Sequence, residues 1–298
     1  MTGDIPEKSP APLRKHGMAP FRVAVLHGGP GAAGEVEPLA RRLGIKRGVL
    51  EPFQTALTVD GQVDELRHVL EQYAIPPVVL IGHSWGAWLA FITAARHPEL
   101  VDKLILVGSG SFEEKYVVHI LRNRISRLSS EEGDEYRQIV KVLNNPENTV
   151  RDDLLSRLGV LAQKADSFDL IADELEVPVP ALNNTPGAIY QGVWPEAASL
   201  RRSGDLLRLG SSVRCPVVVI HGDCDPTPIE GIQEPLTGVL SNLRVFVLDK
   251  CGHDPWRERY ARDKFFSILN NELGGCSQIT KNKDCKNTFD VIKNDKVI

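Results

Sequence analysis

The apolar positions of this chain change their period along its length, which indicates two kinds of element. Continuous apolar runs such as Phe21–Leu26 and Val78–Ile81 are typical of strands buried on both faces. Between such runs, apolar residues recur at helical spacing, as at Val63, Leu66 and Leu70. Strands that alternate with helices in this way predict an α/β fold, with a mostly parallel sheet flanked by helices.

The predicted sheet has about six strands. They share short apolar runs bounded by turn residues, and they are Phe21–Leu26, Gly48–Phe53, Val78–Ile81, Leu104–Val107, Val217–Ile220 and Val245–Leu248. Residues 21–110 and 213–272 therefore form one α/β core. Only 20 residues precede the first predicted strand, and we expect residues 1–20 to be an N-terminal extension.

Residues 111–212 interrupt this alternation with helical patterns and no convincing strand. The predicted helices there are Glu113–Leu128, Glu131–Leu143, Val150–Ala165 and Glu196–Leu209. Because strands resume afterwards, the segment is predicted to be a helical cap inserted into the α/β domain. Residues 273–298 are rich in Lys, Asn and Asp and predict a polar, mobile or loosely docked tail.

Composition excludes several classes of partner. The net charge of −4, from 35 basic and 39 acidic residues, gives no electrostatic reason to expect nucleic acid. No stretch approaches the roughly 20 apolar residues that a membrane span requires. The first 20 residues lack the apolar core of a signal peptide, and five cysteines without a CxxC pair suit a reducing compartment. We therefore expect a cytoplasmic protein, and its oligomeric state cannot be predicted.

The motif GHSWG follows the Val78–Ile81 run and precedes an apolar helical stretch. A serine hydroxyl becomes a useful nucleophile when a sharp strand-to-helix turn presents it to a base, and that turn needs small neighbours two residues away. Gly82 and Gly86 satisfy this requirement around Ser84. The pattern predicts Ser84 as a catalytic nucleophile; the alternative is a glycine-rich turn with an incidental serine.

A second glycine-rich turn, HGGPG, follows the first predicted strand. Acyl transfer needs donors aimed at the developing oxyanion, and backbone amides in such a turn are accessible to it. The expected oxyanion-hole donors are the amides of Gly29 and of Trp85, which follows the nucleophile. His27 is expected to be structural.

Two further post-strand loops supply an acid and a base. His253 lies in CGHDPW after the last strand, and the order Ser, Asp, His favours it as the catalytic base. Pro255 is well placed to open the helix that follows. In HGDCDP either Asp223 or Asp225 could orient His253; Asp225 is preferred because it lies further past the strand end.

No His, Cys and Asp spacing resembles a zinc site, and no phosphate-binding glycine fingerprint follows a strand. The predicted chemistry therefore uses neither a metal nor an organic cofactor.

These motifs together resemble the α/β-hydrolase fold family, with residues 111–212 in the position of its cap. HGGPG and the tryptophan after the nucleophile especially resemble proline iminopeptidases and small carboxylesterases, although the iminopeptidases usually show GGSWG. The resemblance implies Ser84 as nucleophile, Asp225 as acid, His253 as base, and Gly29 and Trp85 as oxyanion donors.

The resemblance implies a serine hydrolase that acts on a small ester or amide through an acyl-enzyme. Alternatives are an aminopeptidase of the proline iminopeptidase type, a serine-dependent carbon–carbon bond hydrolase, and a non-catalytic ligand-binding protein on this fold. Iminopeptidase caps hold a free amino terminus with acidic residues, and Glu113, Glu114 and Glu196 are the candidates here. Helix-dipole complementation is the simpler explanation of the charge pair at 113–114.

Overall fold

The computed structural model describes residues 12–145, 147–148, 152–171, 179 and 182–274. A sheet of seven strands forms its centre. The strands are β1 (Leu13–His16), β2 (Phe21–Leu26), β3 (Gly48–Pro52), β4 (Val78–His83), β5 (Val101–Val107), β6 (Val217–Gly222) and β7 (Leu243–Leu248). Their order across the sheet is β1-β3-β2-β4-β5-β6-β7, and every pair is parallel except β1 with β3. The predicted α/β class is confirmed.

The sheet has one strand more than the expected six. β1 falls within the predicted N-terminal extension, where the charged sequence LRKH conceals a strand. Its polar side chains are satisfied across the pair, because Glu51 of β3 lies 3.1 Å from Arg14 and 2.7 Å from His16. Cross-strand pairing of this kind leaves no apolar run to detect in the sequence.

Ten helices lie in the described residues. They are α1 (Glu37–Gly44), α2 (Val59–Tyr73), α3 (Trp85–Arg96), α4 (Val117–Ser126), α5 (Ser130–Leu143), α6 (Asp152–Asp166), α7 (Pro186–Ser203), α8 (Asp205–Arg208), α9 (Glu230–Val239) and α10 (Arg262–Gly274). Short 3-10 turns occur at Pro98–Leu100, Glu114–Tyr116 and Leu209–Ser212. In this part of the chain, no helix combines the length and apolar character needed to span a bilayer.

Two apolar layers enclose the sheet. One contains α2, α3 and α9, and the other contains α1 and α10. α3 is the most enclosed of the helices, because every residue from Trp85 to Ala95 is buried and only Arg96 is not. The buried helix fixes the position of its own N-terminus, and therefore of Ser84 immediately before it.

The described residues between β5 and β6 form helices α4 to α8. Helices α5 and α6 supply the buried residues of a small separate core, Tyr136, Ile139, Leu143 and Leu161, whereas Leu206 of α8 packs into the core beside the sheet. The helix predicted at 196–209 is wrong in its bounds. α7 begins ten residues earlier because the Thr185 side chain caps it, accepting the Ala188 amide at 3.2 Å. It ends at Gly204, whose left-handed φ of 76° separates α7 from α8.

Some expectations lie outside the described residues. These include most of the N-terminal extension, the predicted helix start at 150, most of the proline-rich stretch from 177 to 186, and the tail from residue 275 onward.

Candidate active site

Ser84 lies on the turn between β4 and α3. Its backbone angles, φ 51° and ψ −114°, are ones that residues other than glycine rarely adopt. A Cβ at Gly82 would come within 2.2 Å of the Gly86 carbonyl oxygen. One at Gly86 would come within 2.5 Å of the His27 carbonyl oxygen. The chain can therefore make this turn only with glycine on both sides of the serine, and Ser84 is presented at the end of β4.

Asp225 and His253 are joined by a hydrogen bond of 2.6 Å between Oδ2 and Nδ1. The second carboxylate oxygen of Asp225 accepts the Thr227 amide at 2.8 Å. Asp223, the competing candidate, instead accepts the amide of Cys251 at 3.1 Å. Of the two aspartates, Asp225 is the one that contacts the imidazole, and its position leaves Nε2 of His253 facing away from the acid.

The electrostatics of this pair keep Asp225 ionised and make His253 a stronger base. Burial alone raises the pKa of Asp225, but His253, His221 and the Thr227 amide outweigh burial and hold that pKa well below its usual value. Burial alone lowers the pKa of His253, yet the Asp225 carboxylate reverses this and raises it. A buried carboxylate that stays ionised can stabilise the imidazolium that forms when the histidine accepts a proton.

His253 lies against the turn that carries Ser84. Its ring centroid is 4.7 Å from that of His83, and a Cβ at Gly108, just after β5, would lie 3.1 Å from its Nδ1. The Ser84 amide donates to the Val107 carbonyl at 3.0 Å, which holds the turn beside the same strand end. Among the described residues, the Ser84 hydroxyl has no hydrogen bond to His253. Nucleophile and base contacts are often looser before substrate binds.

The loop after β2 approaches Ser84 closely. A Cβ at Gly28 would meet Cβ of Ser84 at 3.0 Å, so glycine is required there. Gly29 follows with φ 28°, and Trp85 is the first residue of α3, where amides lack intrahelical acceptors. Neither of these two amides has an acceptor among the described residues. His27 is structural, as expected: its Nε2 accepts the Gln54 amide at 3.2 Å, its Nδ1 donates to the Gly28 carbonyl at 2.8 Å, and burial lowers its pKa.

The last residue of α6 and the residues that follow it contact the loop that carries His253. The sequence did not predict this contact. The His253 amide donates to the Asp166 carbonyl at 2.8 Å. The buried carboxylate of Glu258 accepts the amides of Gly252, Phe168 and Asp169 at 3.0, 2.8 and 2.8 Å. The helical segment therefore meets the core at the proposed base, and no local pattern signals this pairing of distant residues.

The three acidic candidates for an amino-terminus site already have partners. Glu113 pairs with Lys115 at 2.7 Å, and Glu114 pairs with Arg201 at 2.8 Å. Glu196 accepts the Val59 amide at 2.8 Å, at the start of α2.

One group in the described part of the chain combines three possible metal ligands: Glu35, His83 and Asp254. Glu35 lies 2.8 Å from Nδ1 of His83, whereas Asp254 lies 3.2 Å from Nε2 of the same ring. Ligands of one ion converge on a common point. Because these carboxylates approach different nitrogens, the arrangement is that of an ion-paired imidazole.

The profile of the alpha/beta hydrolase fold family matches residues 44–256. The chain therefore belongs to this family, and the resemblance stated from its motifs is confirmed.

Named relatives are hydrolases of different kinds. The 2-hydroxy-6-oxononadienedioate/2-hydroxy-6-oxononatrienedioate hydrolase of Paraburkholderia xenovorans (strain LB400) is 26% identical over 263 residues, covering 82% of this chain and 83% of that protein. The proline iminopeptidase of Saccharolobus solfataricus is 32% identical over 133 residues, covering 40% of this chain and 41% of that protein. An sn-1-specific diacylglycerol lipase of Danio rerio is 33% identical over 123 residues. That match spans only 36% of the lipase and 36% of this chain.

Solved structures show the same fold. The crystal structure of VinJ superposes with a TM-score of 0.63 at 17% identity, covering 88% of this chain and 94% of that one.

Proposed function

We propose that this protein is a cofactor-independent serine hydrolase that cleaves a small ester or amide through an acyl-enzyme. The observation that carries the proposal is the 2.6 Å contact between Asp225 and His253, beside a turn that holds Ser84 at φ 51°. A positioned acid and base next to a serine presented clear of its own backbone are the parts that nucleophilic acyl transfer requires.

The proposed reaction has two halves. In the first, the Ser84 oxygen bonds to the substrate carbonyl carbon while Nε2 of His253 takes the hydroxyl proton, and the amides of Gly29 and Trp85 hold the oxyanion. His253 then gives that proton to the leaving alcohol or amine as its bond breaks. In the second half, water attacks the acyl-enzyme, His253 takes a proton from it, and Ser84 leaves with that proton restored.

The helices between β5 and β6 are proposed to act as a cap over this site. They contact the loop that carries His253 through the Asp166 carbonyl. They also contact the loop after β2, since a Cβ at Gly31 would lie 2.5 Å from the Pro186 carbonyl oxygen. A small-molecule substrate is proposed to bind between these two layers.

Labelling with a fluorophosphonate and hydrolysis of a p-nitrophenyl ester test the proposal. Ser84→Ala is expected to abolish labelling and to lower kcat at least about 10³-fold, because no other group supplies the nucleophile. Ser211→Ala, an exposed serine outside the site, is the matched control and should retain both. Labelling of Ser84→Ala at the wild-type level would remove Ser84 from its role, and an unlabelled wild type would favour the binding-protein alternative.

A carbon–carbon bond hydrolase is the second candidate, favoured by the relative from Paraburkholderia xenovorans, whose match covers 82% of this chain. Glu196 weighs against the aminopeptidase alternative, because its carboxylate already accepts the Val59 amide at the start of α2. Turnover of a short ester, a prolyl amide and a 2-hydroxy-6-oxo dienoate, measured side by side, distinguishes the three.

A further inference from the structure

His83 occupies the variable position directly before Ser84, and its side chain is only 1% exposed. Nε2 lies 3.2 Å from the carbonyl oxygen of His253 and 3.2 Å from Oδ1 of Asp254. Nδ1 lies 2.8 Å from Oε1 of Glu35. The edge of Trp256 closes the remaining side, with ring centroids 4.7 Å apart. A polar ring is therefore enclosed at the point where three loops meet.

The contacts define the protonation of this ring. Carbonyl and carboxylate oxygens only accept hydrogen bonds, so a ring nitrogen that faces them at about 3 Å must carry a proton. Nε2 lies in hydrogen-bonding position to the His253 carbonyl and therefore carries a proton. Nδ1 lies 2.8 Å from Oε1 of Glu35 but outside hydrogen-bonding geometry, so this contact is an ion pair. The other oxygen of Glu35 accepts the Gly28 amide at 3.0 Å, as an ionised carboxylate does. Two carboxylates within 3.2 Å of one buried ring favour its charged form, so we assign His83 as an imidazolium that is ion-paired with Glu35 and Asp254.

The charges around the ring agree with this assignment. Burial by itself lowers the pKa of His83, but Glu35 and Asp254 outweigh burial and raise the pKa well above its usual value. The other titratable groups facing the ring are His253 and His27, and the charge of His83 lowers the pKa of each. Arg257 lies on the far side of Asp254, at 3.9 Å.

His83 also connects the parts of the proposed site. Glu35 belongs to the loop after β2 and holds Gly28, whose Cβ, if present, would lie 2.9 Å from Nδ1 of His83 and 3.0 Å from Cβ of Ser84. On the other side, the His253 carbonyl and Asp254 belong to the loop after β7. One buried cation thus contacts the loop after β2, which we call the oxyanion loop, the nucleophile turn at Ser84, and the loop after β7, which we call the base loop.

We infer that His83 is a positioning residue for the hydrolytic reaction: its imidazolium links Glu35 to Asp254 and the His253 carbonyl, and so holds the oxyanion loop and the base loop against Ser84. This role rests on the proposed serine hydrolase function of the same site. His83 touches no reacting atom, and it acts through the position of His253 and through the local charge.

His83→Gln removes the cation and leaves two carboxylates beside His253. With fewer positive charges nearby, the pKa of His253 rises, so the acidic limb of the kcat/KM profile moves to higher pH, by about one pH unit. Misplacement of the base loop is expected to lower kcat about 10- to 100-fold, with KM changing less than about threefold.

The double variant His83→Gln with Glu35→Gln separates a charge role from packing. One positive and two negative charges in the wild type become one negative charge, so the net local charge returns to its wild-type value. The acidic limb is therefore expected to move back toward the wild-type position, although neither contact is restored. His68→Gln, an exposed histidine on α2, is the matched control and should change neither kcat nor the limb.

The inference would be overturned if a folded His83→Gln variant kept both the wild-type kcat and the wild-type acidic limb of the kcat/KM profile. It would also be overturned if the acidic limb stayed displaced in the double variant. If His83→Gln does not fold, ¹⁵N NMR of wild-type imidazole rings carries the test. One of the eight histidines should keep both ring nitrogens protonated well above the pH at which a free imidazole becomes neutral, and eight that become neutral in the range of a free imidazole would refute the assignment.

Fluorophosphonate labelling of the wild type distinguishes this failure from failure of the proposed function. A labelled Ser84 with an unchanged His83→Gln variant contradicts the positioning role alone. An unlabelled Ser84 contradicts the hydrolase itself, and the NMR result then reports only on the charge of His83.

Discussion

At the edge of the sheet, Ser84 and Asp225 follow strands in which every residue is buried, whereas α4 in the helical segment buries none of its residues. The strand ends are fixed by backbone hydrogen bonds and close-packed glycines. The helical segment has only a small apolar core and carries exposed ion pairs on its surface, as between Arg157 and Glu135 and between Lys164 and Glu132. The tightly packed strand ends therefore position the residues of the proposed chemistry, whereas the segment proposed to cover them is packed less densely.

The largest expected effect is on the acid at the sheet edge. Asp225→Asn should lower kcat about 10³- to 10⁴-fold, because an amide neither stabilises the imidazolium nor fixes the correct tautomer. The pKa of His253 should fall as well, since Asp225 is what raises it, and the acidic limb of the kcat/KM profile then moves to lower pH. A pH–rate series with a p-nitrophenyl ester measures both effects.

Asp223→Asn is the matched control, because the Asp223 carboxylate accepts the Cys251 amide and contacts Cys224, whereas Asp225 is the aspartate that contacts His253. It should cost less than about tenfold in kcat. Equal losses in the two variants would mean that both aspartates support the base, and the assignment of Asp225 alone would be wrong.

Glycine substitutions compare the two regions directly. Gly82→Ala would place a Cβ 2.2 Å from a backbone oxygen of the nucleophile turn, and it should lower the free energy of unfolding by more than about 3 kcal/mol. Gly159→Ala, within α6, meets no atom within 4 Å and should raise it by about 0.5–1 kcal/mol. Urea denaturation measures both, and destabilisation by the α6 variant would show tighter packing in the helical segment than we describe.

A smaller effect is expected at the joint between the regions. Arg124 and Asp166 form an ion pair of 2.6 Å with side chains 23% and 7% exposed, so Asp166→Asn should cost about 2 kcal/mol of unfolding free energy. Asp134→Asn removes an exposed pair with Arg137 and should cost less than about 0.5 kcal/mol. If thermal or urea unfolding shows that Asp166→Asn and Asp134→Asn lose similar unfolding free energy, then burial does not strengthen the Arg124–Asp166 pair.

The sequence predicted the sheet edge well because its signals are local. An apolar run followed by GHSWG requires a specific turn, and the loops after β6 and β7 carry Asp225 and His253 at the edge where parallel strands end. The prediction that Pro255 opens the last helix is wrong, because that helix begins at Arg262. The residues between Pro255 and Arg262 form turns that pair with the helical segment, as in the bridge of Glu258 with Leu170.

Contacts between distant residues could not be predicted. His83 was visible in its motif, but the approach of Glu35 and Asp254 depends on how two loops fold over the turn. Glu258 resembles any surface glutamate in the sequence, yet it is fully buried and binds three amides from two segments. Such polar side chains carry no periodicity, and only the assembled fold reveals them.

The hydrogen bond from the His253 amide to the Asp166 carbonyl limits how this enzyme can be re-engineered. Exchanging the helices between β5 and β6 for those of a relative would replace residues 166–169 together with the helices that we propose cover the substrate. The transplanted chain would then have to supply the same backbone acceptor for His253 and the same amides for Glu258. Chimeras that retain this short junction from the parent are expected to keep His253 in place, so we propose the junction as the boundary for exchanges that change specificity.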